Sequence, residues 1–156
     1  MKKSIILSIS IIFLMGVNVK AQSCSKGIET AKKIFKTGSY NSSLLPLGPR
    51  FLGLGSENME RGALLNGTMR TFVTNPSKKG NVVIDIFKMD SEGKIKLSFC
   101  SLSKTGVVKT LKTGKISSRN KFRVKCGGMK NKILIVALKS TNPLVRIDYA
   151  IEQVKL

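Results

Sequence analysis

The sequence predicts a mainly all-β protein: an antiparallel β-sandwich of about seven strands with a short N-terminal helix. Three observations predict it. From Thr68 onward, runs of six to ten β-rich residues are separated by turn signals such as Asn75-Pro76, Gly106, Gly127-Gly128 and Asn142-Pro143. Several of these runs alternate apolar and polar residues with a period of two, which suits a sheet buried on one face only. Regular strand spacing with no intervening helical pattern points to a sandwich or barrel, and one wet face favours the sandwich.

The chain opens with a leader. Met1-Lys2-Lys3 is a short positive head, and Ser4 to Val17 is an apolar run rich in Ile and Leu. Val19-Lys20-Ala21 then has small residues at the two positions a signal peptidase reads. The pattern is that of a bacterial-style secretory signal peptide, residues 1–21, too short in its apolar core to span a membrane comfortably. Cleavage near Ala21 makes the mature protein secreted or periplasmic. Lipoprotein processing at Cys24 is less favoured, because the place three residues earlier is Ala21 rather than an aliphatic residue. No later run could cross a bilayer as a helix, the longest aliphatic stretch being Ile133 to Leu138.

The segment 22–67 comprises a helix and an irregular stretch. Ile28, Ala31, Ile34 and Phe35 recur at helical spacing over 24–38, with Gly38 as the C-terminal stop. Residues 39–67 mix Leu and Phe with Pro and Gly, which argues against one regular element and against a solvated linker. They are expected as an apolar loop with short extended pieces, folded over one end or edge of the core. Residues 68–156 form the sandwich, with strands expected at 68–74, 81–89, 94–103, 107–112, 121–126, 132–139 and 145–152. Thr113-Gly114 is expected to be a turn.

Charge is the strongest functional signal. The chain carries 28 Lys and Arg against 8 Asp and Glu, a formal +20. Loss of Lys2, Lys3 and Lys20 with the leader leaves about +17. From Gly93 to Ile147 there are fourteen basic residues and no acid. Within it, "KISSRNKFRVKCGGMKNK" puts Lys121, Arg123 and Lys125 on the outward face of one strand, about 7 Å apart. Arg119, Lys130 and Lys132 flank that comb, and these six are the candidate anion-binding residues. Solvation and protection against edge pairing explain any one lysine. The acid-free span as a whole points to an anionic polymer or membrane surface. Reversal of Lys121, Arg123 and Lys125 is expected to leave the fold intact.

Cys24, Cys100 and Cys126 are the disulfide candidates, one bond and one free thiol being expected after export. Spacing does not choose the pair; lipidation of Cys24 would leave Cys100 with Cys126.

The chain has no histidine, so Ser-His-Asp and Cys-His devices are excluded and no zinc or other metal site is expected. Gly53-Leu54-Gly55 lacks the third glycine of a dinucleotide loop, and no P-loop ending occurs. No cofactor is expected. Asp85, beside Val83 and Phe87, is the one acid on an apolar-looking face: a buried partner to a base, or an edge residue. Aromatic side chains do not interleave with basic ones, except Phe122 between Lys121 and Arg123 on the opposite strand face, so nucleic acid is a test-tube ligand rather than a favoured partner.

The tail "NKILIVALKSTNPLVRIDYAIEQVKL" resembles the closing hairpin of secreted bacterial β-sandwich modules appended to exported proteases. The likeness covers one hairpin and carries no functional residue across.

The resulting expectation is an exported bacterial, non-catalytic binding protein for an anionic envelope component: lipopolysaccharide, acidic glycan or anionic lipid. A secreted antibacterial, toxin-like protein acting on membranes is the alternative, and an enzyme of unfamiliar type a further one.

Overall fold

A computed structural model describes residues 23–38, 48–65, 67–142 and 144–156. The expected leader, and part of the Leu/Gly-rich stretch, lie outside the described residues. Helix α1 (Ser25–Thr37) is followed by β1 (Arg50–Phe51), a 3-10 turn (Ser56–Asn58) and β2 (Glu60–Leu64). Seven further strands follow: β3 (Met69–Val73), β4 (Asn81–Lys88), β5 (Ile95–Ser103), β6 (Val108–Ile116), β7 (Asn120–Gly127), β8 (Lys132–Ser140) and β9 (Ile147–Val154). They form two sheets, ordered β1-β3-β8-β5-β6 and β2-β9-β4-β7. All pairings are antiparallel except β1 with β3.

The fold is therefore an all-β sandwich, with nine strands among the described residues. The two beyond the expected seven are short and come from the Pro/Gly-broken stretch, where they extend one edge of each sheet. Between the sheets lies a core that includes Phe72, Leu97, Phe99, Val136, Leu138, Ile84, Ile86, Val124 and Ile151. Phe72 and Tyr149 meet edge to face across it, 6.0 Å between centroids.

A second, smaller core lies on the outer face of the five-stranded sheet. There α1 lays Ala31 and Ile34 against Val73, Cys100, Leu102, Ile133 and Ile135. This explains the burial of β8. Its even positions Leu134, Val136 and Leu138 fill the inter-sheet core, while Ile133 and Ile135 lie beneath the helix. It also explains why β5 alternates cleanly only in its first half. The helix approaches closely because Gly27 has no side chain: a Cβ there would stand 2.4 Å from Ile135 Cγ2. Gly38, at φ 73°, ends the helix by donating to the Ile34 carbonyl at 2.8 Å.

One turn expectation is corrected. Thr113-Gly114 lies inside β6, not at a turn. Gly114 pairs with Leu97, and a Cβ on it would stand 3.4 Å from the Phe122 ring. Its small size makes room for a neighbouring ring, a use of strand glycine that sequence alone does not separate from a turn. Cys24 and Cys100 are disulfide-bonded, tying the start of α1 to β5, and Cys126 is free and buried in the inter-sheet core. The pairing of Cys100 with Cys126 is thereby excluded, and the Cys24 sulfur is not available for a lipid.

Candidate functional site

Lys121, Arg123 and Lys125 stand exposed on β7, an edge strand, while Val124 and Cys126 are buried and Phe122 half-buried between them. The comb is thus an outward row, but it is not unrelieved. Register places Asp85 of β4 directly opposite Arg123. Arg123 Nε donates to Asp85 Oδ1 and Nη2 to Oδ2, both at 2.7 Å. Lys121 Nζ lies 2.8 Å from Oδ2 and 5.0 Å above the Phe87 ring. Asp85 is fully buried beneath these side chains. The Arg123 hydrogen bonds hold its carboxyl below the usual carboxylate range, against the opposing effect of burial. Asp85 in turn raises the Arg123 guanidinium, and Glu152, paired with Asp85 across β9, adds to this.

The other three candidates spread out from the comb. Arg119 is exposed in the turn before β7. Lys130 follows β7 and bridges Ser77 through the backbone, while Lys132 begins β8 in the opposite sheet and is half-buried. The eight residues of β7, about 23 Å long, separate Arg119 from Lys130. The six residues therefore describe a strip rather than a pocket.

A tighter basic group lies on the other sheet. Lys96 of β5 is in register with Lys115 of β6 on one side and Lys139 of β8 on the other. All three are exposed, on the outer face beside the helix-covered end. Strands in a sheet lie about 4.8 Å apart, so three ammonium stems stand abreast. Directly opposed like charges destabilise a sheet. Among the described residues no acid pairs with any of them. Ser98 and Thr113 supply hydroxyls one rung along. Strand β6 lies beside β7 where the two sheets meet. The β6–β7 hairpin (108–127) carries Lys109, Lys112, Lys115, Arg119, Lys121, Arg123 and Lys125 with no acid, so the charge continues round that side of the sandwich.

A third feature is a cleft of about 630 Å³ at one end of the sandwich. It forms where residues 52–55 cross between the sheets: Leu52 N–H donates to the Val73 carbonyl, and Gly55 N–H to the Gln153 carbonyl, both at 2.8 Å. The Leu/Gly-rich stretch thus straps this end, covering the core with Leu52 and lining the cleft with Leu54. Buried Leu52 and Val82 form the floor. Lys78, Lys79 and Lys155 stand at the rim, with Lys79 Nζ donating to the Leu156 main-chain oxygen.

Among the described residues no group of His, Cys, Asp or Glu could hold a metal ion. Burial raises the Cys126 thiol to about 11, against the pull of Lys112, which makes it a poor nucleophile.

No protein-family model matches the chain, and no curated protein is similar to it. Solved structures are similar in fold. The surface-associated copper-binding protein CorA of Methylomicrobium album BG8 has a TM-score of 0.51 at 7% identity, over 67% of this chain and 97% of that one. The pre-peptidase C-terminal domain of a Bacillus anthracis collagenase has a TM-score of 0.45 at 13% identity, over 70% and 97%. The Yersinia pseudotuberculosis-derived mitogen gives 0.48 at 10%, over 61% and 81%. At such identities the likeness concerns the fold alone.

Proposed function

We propose that this is an exported, non-catalytic binding protein for an anionic component of the cell envelope, held by the basic surface that runs from the outer face of the five-stranded sheet round the β6–β7 side. The observation that carries the reading is the row Lys139–Lys96–Lys115. Three ammonium groups set abreast without an acid repel one another, and a polyanion lying across them relieves that repulsion. Arg119 and Lys125 extend the surface on the far side of the hairpin, while Lys121 and Arg123 share theirs with Asp85. The Cys24–Cys100 disulfide supports export to an oxidising compartment. Among the described residues no helix is long and apolar enough to cross a membrane.

Binding to heparin and to phosphatidylglycerol vesicles, measured across a salt series, tests the proposal. K96E/K115E/K139E should lose at least tenfold in affinity, and K32E/K33E/K36E on α1 far less. Binding should fade as the Debye length falls from about 10 Å at 0.1 M to about 3 Å at 1 M. Equal losses from the two variants would show that net charge alone is responsible and would overturn the site.

A further inference from the structure

The cleft differs in kind from the basic surface. Its floor is closed and apolar, and Leu54, on its wall, keeps 50% of its surface exposed. Three lysines and no Asp or Glu side chain belong to its lining, and Lys79 is already engaged by the Leu156 main-chain oxygen. The Glu57 and Glu152 side chains line an adjoining depression that meets the cleft at Val154 and Lys155. A soluble polyanion would use the lysines and leave the floor wet. A neutral lipid would use the floor and leave the lysines unmatched. The volume falls within the range of about 300–1,000 Å³ typical of sites for small organic ligands.

We propose that this cleft binds a single acyl chain ending in one anionic group, the chain against Leu54 and Val154 above the buried Leu52 and Val82, and the head at Lys78 and Lys155. The head stays at the exposed rim, so its charge is paired without being dehydrated. The chain takes the buried floor, and affinity should rise by roughly fourfold per methylene until the floor is filled. The strap over residues 52–55 is what makes the site, because it walls the end of the sandwich that would otherwise open to solvent.

Calorimetry of the full disulfide-bonded protein with monomeric dodecanoate tests this, with decanoate, dodecyl maltoside and heparin as comparisons. The expected result is one-to-one saturation by dodecanoate, tighter than decanoate and at least tenfold tighter than dodecyl maltoside. K78E/K155E should weaken dodecanoate at least tenfold and change heparin binding less than threefold. Leu54→Ser, at an exposed position that the fold tolerates, should weaken it too. K96E/K115E/K139E should leave dodecanoate unchanged while abolishing heparin binding, so the two sites fail separately. No saturable binding, equal affinity for the neutral dodecyl ligand, or equal loss in K96E/K115E/K139E would each overturn the proposal.

Discussion

Arg123 and Asp85 face each other across β7 and β4, joined by two parallel hydrogen bonds of 2.7 Å, with the carboxylate buried and the guanidinium at the surface. Such a fork fixes register as well as charge. Because the pair holds the Asp85 carboxyl below its usual range, the stability it contributes is present above the ordinary carboxylate pKa near 4 and is lost as pH falls through the lower folded value. Asp85→Asn should therefore cost about 1–3 kcal/mol at pH 7. Unfolding midpoints of this variant should also fall less steeply than wild type in strong acid. Identical acid profiles would show that the pair has no energetic weight.

The same geometry reverses an expectation about the comb. Reversing Lys121, Arg123 and Lys125 to Glu sets two new carboxylates against a buried one and removes both of its partners. A buried charge stripped of its partner is strongly destabilising. The triple variant should melt well below wild type, with Lys125→Glu alone close to wild type. Circular dichroism melts check this; an unshifted midpoint in the triple variant would mean that solvent replaces both cations at no cost.

What the sequence made legible was local. The period-two runs placed Ile95, Leu97 and Phe99 inward and Lys94 and Lys96 outward, and the helix face came from Ile28, Ala31, Ile34 and Phe35. What it left open depends on which strand lies beside which. Lys96 meets Lys115 and Lys139 only through the order β8-β5-β6, set by residues up to 43 positions apart. Asp85 meets Arg123 across 38 positions. The short extended pieces expected within residues 39–67 are present as β1 and β2, but their partners, β3 and β9, were not legible because distant stretches supply them. The cleft joins three separate stretches, so no spacing rule could show it.

Cys24 and Cys100 close a 76-residue separation, a long loop in the unfolded chain. Loss of the bond in Cys24→Ser/Cys100→Ser should cost about 2–5 kcal/mol and should free the start of α1 first, since the bond anchors it to β5. Cys126 should resist charged thiol reagents in the native protein, being buried with its thiol raised to about 11. Thiol titration should find none reactive when native, one after unfolding without reductant and three after reduction. A rapidly reacting native thiol, or a Cys126 disulfide, would contradict the pairing.

Lys96 sits at the centre of its row and therefore bears two like-charged neighbours where Lys115 and Lys139 each bear one. Lys96→Glu turns both repulsions into attractions on an exposed rung that carries no core contact. Each cross-strand change of this kind contributes on the order of 0.5 kcal/mol, so this substitution should stabilise the protein by a small but measurable amount. Lys115→Glu, with one neighbour, should gain about half as much. If the row holds an anionic ligand, the same substitution must weaken binding, because it replaces the central cation and neutralises the two beside it. Stability and affinity should then move in opposite directions across the series wild type, Lys115→Glu, Lys96→Glu, and the difference should shrink in 1 M salt. Urea unfolding read beside heparin affinity for the three proteins decides it. A Lys96→Glu protein no more stable than wild type would show that the three ammonium groups already escape one another by swinging apart, and the row would lose its claim to be a preformed anion site.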